Sequence, residues 1–433
     1  MNDRVTVVGA GLAGCEAAWQ LVRRGHPVRI IEMKPEKRSP AHVGNGYCEL
    51  VCSNSLKAEV LTNASGLLKA EMKAFDSLVL EAAEKTRVPA GGCLAVDRNA
   101  FSDYVTEKLK SHPLVETETA LVDAIPDTPC IVATGPLTDP ALTDAFMRLP
   151  GFRQMHFFDA EAPIISAESI DMTKAFSQSR YDHGGDDYIN CPMTEDEYNA
   201  FYDALTGAEL AEVHDFEKKM VFEGCLAVEI LASRGRQTLA FGPLKPVGLV
   251  DPRTGKMPYA VVQLRREDLS GSMYNMVGFQ TRLKWGEQKR VFGMIPGLEK
   301  AEFLRYGVMH KNTYLNSPDV LGANYALKDD PYLRFAGQLT GVEGYMESAA
   351  SGLVAGLDLA LLLEGRDEID FTQKTVLGAL ARHVITPAAS FQPMNANFGI
   401  LEPAETRIRG KKQRYEYLAN RSLEIIGELR KRV

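Results

Sequence analysis

Two of the seven cysteines could perform covalent chemistry. Cys52 lies in a polar loop rich in Gly, Pro and Ser, and residues 53–55 after it are strong helix N-cap residues. This pattern predicts a helix that begins just after Cys52, where the helix dipole would favour a reactive thiolate. Cys225 follows a glycine and precedes an alternating apolar run. Because a single cysteine is more often a small buried hydrophobic residue, the residues alone leave the role of Cys225 open.

A glycine-rich turn near the N-terminus predicts a phosphate-binding element. A valine-rich strand leads into Gly9-Ala10-Gly11-Leu12-Ala13-Gly14, a helix follows to about Arg24, and a second apolar run ends at Glu32. In such a unit the second glycine lets the backbone approach a pyrophosphate at the helix N-terminus, and the acid binds a ribose diol. All these parts occur within residues 4–32, which favours a dinucleotide site over an ordinary glycine-rich turn.

Two later stretches continue the same predicted domain. Residues 129–135 form an apolar strand whose end carries Thr134 and Gly135, as in strands of flavoproteins that pass close to FAD. From residue 332 a further strand runs into a glycine-rich turn and a helix of small residues, which would pack closely against a sheet or a flat cofactor. The candidate cofactor residues of this second element are Gly337, Gln338, Gly344, Tyr345 and Ser348.

The region between these elements loses the alternation of strands and helices. We therefore predict an α/β fold in two parts. Residues 1–150 and 321–433 would form a discontinuous Rossmann-like FAD-binding domain, and residues 151–320 would form an inserted α+β domain on the substrate side.

The composition is typical of a soluble globular protein. Hydrophobic residues make up 45% and charged residues 24% of the chain, and we expect no apolar run that is long enough to cross a membrane. The cysteines show no paired pattern, so we expect a reducing, cytoplasmic location. Eight scattered histidines and the lack of a CxxC pair argue against a metal site.

Positive charge is concentrated in two clusters, although the net charge of the chain is −8. The last 29 residues, 405–433, contain nine Lys or Arg and four Asp or Glu. The basic tail consists of Arg407, Arg409, Lys411, Lys412 and Arg414. The second basic cluster surrounds Trp285 and consists of Arg282, Lys284, Lys289 and Arg290. Charge alone fits either a solvated surface or a binding site for a phosphate backbone.

Eight stretches together resemble a known family. They are GAGLAGCEAAWQL, VCSNSLKAE, SIDMTKAFSQSRY, FEGCLAVE, LAFGPLKPVGL, GFQTRLKWGEQKRVF, MHKNTYLNSP and FAGQLTGVEGYMESAASGLVAG, and they run nearly from end to end. The chain resembles the folate- and FAD-dependent tRNA (uracil-5-)-methyltransferases, which are related to the glucose-inhibited division protein A family. VCSNSLKAE and FEGCLAVE favour the methyltransferase branch over the sister family.

The resemblance implies a reaction, its cofactors and its RNA partner. Methylenetetrahydrofolate would donate a one-carbon unit to reduced FAD, NAD(P)H would supply electrons, and C5 of a uridine in the T-loop of tRNA would accept the methyl group. The two functional cysteines of the family fall on Cys225 and Cys52. Cys225 is assigned as the nucleophile that adds to uracil C6 and Cys52 as the acid/base, and these two roles could be exchanged.

Given the reaction that the resemblance implies, further residues become candidates for binding the substrates. His310 would stack on the face of the folate pterin that points away from the flavin, although a structural histidine in a loop is the alternative. Trp285, Arg282 and the basic tail would contact the tRNA, whose target base must flip out of its stack. Gln338 departs from many flavoproteins, which have an acid at this position, so its contact with the ribityl chain is left open.

Three other functions compete with this interpretation. One is the same chemistry on rRNA, and another is a sister-type flavoprotein that modifies a tRNA wobble uridine together with a partner protein. The third is a flavin-containing RNA-binding protein without catalysis, which would not need the two cysteines.

Overall fold

The computed structural model describes residues 4–182, 185–211, 226–388 and 391–433. Within these residues the strands are β1 (Val5–Val8), β2 (Val28–Glu32), β3 (Ser55–Ala58), β4 (Arg87–Val88), β5 (Cys93–Val96), β6 (Val115–Thr119), β7 (Cys130–Val132), β8 (Gln154–Ala160), β9 (Ile164–Ser166), β10 (Phe176–Ser177), β11 (Tyr188–Met193), β12 (Ala260–Arg266), β13 (Met273–Met276), β14 (Phe303–Arg305), β15 (Met309–Leu315), β16 (Ala326–Leu327) and β17 (Asp330–Phe335). The helices are α1 (Leu12–Val22), α2 (Ala64–Ala74), α3 (Leu78–Lys85), α4 (Arg98–Lys110), α5 (Pro140–Phe146), α6 (Glu195–Thr206), α7 (Val228–Ser233), α8 (Thr238–Phe241), α9 (Trp285–Phe292), α10 (Ser317–Val320), α11 (Tyr345–Leu363), α12 (Val376–Ile385) and α13 (Lys411–Lys431).

A six-stranded sheet combines strands from both ends of the chain. Its order is β16-β17-β7-β1-β2-β6, and every pair is parallel except β16 with β17. Val7 in β1 pairs with Ile30 on one side and with Ile131 on the other. The chain therefore leaves β1 for β2 in one direction and later returns to β7 in the other. Ligands of parallel sheets bind in the crevice that such a reversal opens at the carboxyl ends of the strands. The predicted α/β class with a Rossmann-like sheet is confirmed.

Close contact between α1 and α11 forms the centre of this part of the molecule. A Cβ atom added at Gly352 would lie 2.1 Å from the carbonyl oxygen of Ala13, and one at Gly356 would lie 2.5 Å from that of Ala17. The small residues of α11 thus let two helix backbones touch. The sequence predicted this close packing but assigned it to a sheet or a cofactor, whereas the partner is a helix.

Helix α11 is also long and apolar enough to cross a membrane, by length and composition alone. The expectation that the chain has no apolar run of that length is wrong for these 19 residues. Because 83% of the most apolar window is buried inside the protein, α11 serves here as a core helix.

A second six-stranded sheet lies between the two halves of the first in sequence. Its order is β10-β11-β12-β13-β9-β14, and all its pairs are antiparallel. Phe201 of α6 and Phe292 of α9 share one apolar core with Val262 and Met276 of this sheet. Helix α6 starts at a capping box formed by Thr194 and Glu197. The domain limits placed at 150/151 and 320/321 stay a prediction.

Strands β8 and β15 form an antiparallel pair that begins and ends this middle region. The pairing runs from Ala160 opposite Met309 to Gln154 opposite Leu315. The amide of Thr313 donates to the carbonyl oxygen of Pro136 at 2.7 Å. That bond fixes the pair to the segment that follows β7.

The residues after Cys52 form strand β3 rather than the predicted helix. β3 pairs with β5 in a small sheet of order β3-β5-β4. The predicted cap residues bind distant partners instead, since Arg265 donates to Ser53 Oγ at 2.7 Å and to Asn54 Oδ1 at 2.9 Å. The helix prediction is therefore wrong, and a helix dipole does not act on Cys52.

Candidate cofactor cleft and thiol site

A cleft opens at the point where the strand order reverses between β1 and β7. Its volume is about 1140 Å³, which includes the part that is open to solvent. Three separate parts of the chain form its walls. The predicted cofactor residues that line it are Gly9, Ala10, Gly11, Leu12, Ala13, Glu32, Thr134, Gly135, Gly337, Gln338, Tyr345 and Ser348. The structure thus brings together most of the residues that the two glycine-rich elements predicted.

Gly14 and Gly344 do not belong to this lining but shape the two turns. A Cβ at Gly14 would lie 1.9 Å from the carbonyl oxygen of Gly9, so Gly14 permits the close approach of turn and helix. Gly344 has a φ of +116°, and its Cβ would lie 2.3 Å from a carboxylate oxygen of Glu347. Gly14 therefore needs glycine because of packing against the backbone, and Gly344 needs it because of its positive φ.

The residues of the cleft fit a bound dinucleotide. Gly11 is the N-cap of α1, and among the described residues no atom beyond its two chain neighbours lies within 4 Å of the place where its Cβ would stand. Gly344 is the N-cap of α11, and among the described residues no side chain caps either helix start. Free N–H groups at the N-terminus of α1 suit an anionic pyrophosphate, and the open space at Gly11 admits it.

Glu32 is buried at the end of β2, and its carboxylate is already hydrogen-bonded. It accepts the amide of Ala10 at 2.8 Å and the amide of Lys34 at 3.0 Å. These two bonds hold the glycine-rich turn against β2. Since a carboxylate has about four acceptor positions, Glu32 keeps capacity for a ribose hydroxyl.

Gln338 donates a hydrogen bond from Nε2 to the carboxylate of Glu343. Glu343 is buried and lies in the turn that precedes α11. An acid is therefore present beside Gln338 in space, although the sequence position that carries an acid in many flavoproteins is a glutamine here.

Cys52 lies next to the wall of the cleft, because Val51 and Tyr345 line it. The amides of Cys52 and Ser53 donate to the Tyr345 hydroxyl at 2.7 and 3.2 Å. Burial, followed by the neighbouring Cys52 thiol, raises the pKa of Tyr345, which keeps the phenol neutral. The first residue of α11 thus fixes the backbone of the candidate acid/base to the cofactor cleft.

Arg98 supports the same segment from its other side. Its guanidinium donates to the carbonyl oxygen of Leu50 at 2.5 Å and forms an ion pair with Glu267 at 2.7 Å. Burial alone would lower the pKa of Arg98, but Glu267, Tyr345 and Cys52 together raise it above its ordinary value. The Arg98–Glu267 ion pair therefore holds the backbone just before Cys52 in place.

Sequence reasoning missed Arg98, Arg265 and Glu267 as supports of the thiol site. Arg98 and Glu267 are 169 positions apart, and Arg265 and Asn54 are 211 apart. No local pattern marks such residues. Only the polar side chains of Ser53 and Asn54 indicated that this segment needs hydrogen-bond partners. Which residues are the partners is decided by the tertiary fold.

The middle region carries two further predicted site residues, Cys225 and His310. Cys225, the candidate nucleophile, lies outside the described residues. The alternating run after it continues into helix α7. His310 lies in β15, where its backbone pairs with Asp159 of β8. It is therefore part of a strand and not of a loop.

Acidic side chains neutralise most of the second basic cluster. The Arg282 side chain is only 17% exposed and lies 3.9 Å from Glu229, whose carboxylate also accepts the Arg282 amide at 3.0 Å. Lys284 pairs with Glu209 at 2.8 Å, and Arg290 pairs with Glu287 at 2.5 Å. Three of the four cations in this cluster therefore already have acidic partners, and Arg282 is engaged within the protein.

The basic tail is exposed and leads into α13. Its five Lys and Arg residues all lie on the surface, and Gly410 is the N-cap of the helix. Lys411, Lys412 and Arg414 occupy the first turn, where positive charge opposes the helix dipole. The charges and the dipole therefore add to one strongly positive region.

Comparisons with known proteins agree with this architecture. A model of the family described as glucose inhibited division protein A matches residues 4–367. A methylenetetrahydrofolate–tRNA-(uracil-5-)-methyltransferase TrmFO of Listeria monocytogenes is 58% identical over 428 residues, which cover 98% of each chain. One of Staphylococcus aureus is 55% identical over 433 residues, which cover 100% of each chain. The GidA structure from Aquifex aeolicus superposes with a TM-score of 0.71 at 16% identity, over 99% of this chain and 76% of that one.

The parallel sheet, the cleft at its reversal point and the two glycine-rich helix starts define a flavoprotein of the Rossmann-like FAD-binding class. The solved GidA structure supports this fold at low sequence identity. The chain belongs to the glucose inhibited division protein A family and, within it, to the family of the methylenetetrahydrofolate–tRNA-(uracil-5-)-methyltransferases TrmFO.

Proposed function

We propose that this protein methylates C5 of a T-loop uridine in tRNA. Methylenetetrahydrofolate is the carbon donor and NAD(P)H the electron source. The similarity to TrmFO relatives over 98% or more of the chain, at 55–58% identity, is the observation that carries the proposal. Gly11, Glu32 and the other residues of the cleft would hold FAD, which in its reduced form would carry the one-carbon unit and supply the electrons that complete the methyl group.

The candidate thiols can make C5 of uracil reactive. C5 of uracil is a poor nucleophile until a nucleophile adds at C6. We assign that addition to the Cys225 thiolate, whose sulfur bonds to C6 while the C5–C6 electron pair moves to form an enolate. After C5 has gained its carbon, a base removes the C5 proton and the bond between sulfur and C6 breaks. We assign this proton transfer to Cys52, held beside the cleft by Tyr345 and Arg98.

The direct test combines the purified protein with an unmodified tRNA transcript, methylenetetrahydrofolate and NAD(P)H. We expect 5-methyluridine in the T-loop, detected by nuclease digestion and mass spectrometry. A transcript with cytidine at the target is the matched control. Methylation of rRNA alone would assign the other substrate, and a modified wobble uridine would assign the sister-type reaction.

Neutralising the basic tail should weaken tRNA binding and reduce its salt dependence. Replacing Arg407, Arg409, Lys411, Lys412 and Arg414 by Gln removes up to five cations that can bind phosphates. The slope of log K against log salt should flatten by roughly 0.7–0.9 for each phosphate that is no longer neutralised. NAD(P)H oxidation without RNA should stay unchanged, because the tail does not line the cleft.

The other end of the same helix provides the control for this variant. Lys431 and Arg432 carry the same charge, and α13 places them roughly 30 Å from Lys411. Replacing these two residues by Gln should leave the slope within error. An unaltered slope in the five-residue variant would reassign the tail to ordinary solvation.

A further inference from the structure

Trp285 ends a ladder of aromatic rings that rises from the core of the second sheet to the surface. Phe279 and Phe292 are buried, with ring centres 5.2 Å apart. Phe303 lies 6.5 Å from Phe292. Tyr306 stacks on Phe303 at 5.2 Å, and Trp285 stacks on Tyr306 at 5.4 Å. The two outer contacts have interplanar angles of 8° and 12°, so they form a series of nearly parallel planes.

The Trp285 indole is largely exposed to solvent. Tyr306 covers one face of the ring, yet 62% of the residue is exposed. The ladder beneath it is anchored in the core, so the indole is held in place before any partner arrives. A nucleobase could add one further plane, and stacking of this kind tolerates any base because every base has a π-face.

Lys289 adds a cation to the same surface. It lies four positions after Trp285 in α9, which places both side chains on one face of the helix. Lys289 is exposed, and within the described ranges no acidic side chain pairs with it, in contrast to Lys284 and Arg290 of the same cluster. The surface thus combines one exposed aromatic ring with one unneutralised charge.

The neighbouring strand fixes this surface relative to the cofactor cleft. Arg305, next to Tyr306, forms an ion pair with Glu161 at 2.6 Å and donates to the carbonyl oxygen of Ala41 at 3.3 Å. Ala41 belongs to a loop whose residues Ser39 and His42 line the cleft. RNA bound at the ladder would therefore be held in a fixed position relative to the cofactor cleft.

We propose that Trp285 and Lys289 form a subsite for one unpaired nucleotide of the RNA substrate, with its base stacked on the indole and its phosphate bound by the ammonium group. The inference rests on the proposed function for the presence of RNA, but it assigns a different interaction from the basic tail. It also replaces the phosphate footprint suggested by the second basic cluster, most of which is paired with acids.

Trp285→Ala should lower the affinity for an unmodified tRNA transcript by about 5- to 150-fold, the range expected when one base has no ring to stack on. The salt dependence should not change, because indole carries no charge. Lys289→Ala should reduce the salt slope by roughly 0.7–0.9. Trp285→Phe should retain part of the affinity, since it keeps a smaller π-face.

Leu304→Ala is the matched control, because Leu304 lies in β14 with 49% exposure and has no ring. It should bind tRNA like the unaltered protein, and all four variants should keep normal FAD content and NAD(P)H oxidation. Fluorescence gives a direct readout, since the chain has two tryptophans. In a Trp19→Phe background, tRNA should quench the fluorescence of Trp285.

The outcomes separate this inference from the proposed function. Two results together would overturn the subsite alone: full tRNA affinity with normal methylation by Trp285→Ala, and no quenching of Trp285 fluorescence in the Trp19→Phe protein. Failure of the unaltered protein to methylate tRNA would overturn the function, while quenching would still support the subsite. A change in sedimentation from oligomer to monomer in Trp285→Ala, with unchanged RNA affinity, would assign this face to a second copy of the chain and overturn the subsite.

Discussion

A protein carrying Gly11→Val should fold normally and fail to bind FAD. Gly11 has a φ of −74° and a ψ of −174°, a conformation that valine adopts readily. Within the described part of the chain, no atom beyond the two chain neighbours lies within 4 Å of the new Cβ, so we expect the fold itself to be undisturbed. The added side chain stands where the pyrophosphate must approach the N-terminus of α1. The purified variant should therefore be colourless, with flavin absorbance as the measurement.

Thermal unfolding gives this prediction a second readout. A ligand at 100 times its dissociation constant stabilises the folded state by about 2.7 kcal/mol. Added FAD should raise the melting temperature of the unaltered apoprotein but not that of Gly11→Val. Gly14→Ala is the contrasting variant, because its Cβ would lie 1.9 Å from the Gly9 carbonyl oxygen. It should lose folded protein rather than the cofactor alone. Retained flavin in Gly11→Val would mean that the cofactor lies elsewhere.

The cofactor cleft was predictable because its signals are local. Residues 9–14 must turn the chain between a strand and a helix, and the glycines that allow this also mark it in the sequence. The second element around Gly337 and Gly344 carries the same kind of mark. What the sequence could not supply was the partner of each group. Glu32 already binds the backbone of Ala10 and Lys34, a contact across the glycine-rich turn.

The thiol site and the basic clusters depended on partners far away in sequence. Ser53 and Asn54 have the side chains of helix caps, but Arg265 supplies a stronger competing partner across 211 or more positions. The sequence does not indicate that Lys284 pairs with Glu209, because the two residues meet only in the folded chain. Residue type predicts what a side chain can bind, whereas tertiary packing decides which partner it meets.

Replacing the target uridine by 5-fluorouridine should distinguish the roles of the two cysteines. Fluorine blocks loss of the C5 substituent, so the bond between sulfur and C6 cannot be released and a covalent complex of protein and tRNA accumulates. Cys225→Ala should bind FAD, accept electrons from NAD(P)H and form no such complex. Denaturing gel electrophoresis of the labelled tRNA measures the adduct.

Cys52→Ala should abolish methylation but still trap the fluorinated tRNA. Only the attacking sulfur is needed to reach the covalent state, and proton transfer from C5 comes afterwards. The loop should keep its place at the cleft in this variant, because Tyr345 binds the backbone amides of Cys52 and Ser53, which alanine preserves. A trapped complex in Cys225→Ala but not in Cys52→Ala would exchange the two roles, and full methylation by both variants would remove the thiols from the mechanism.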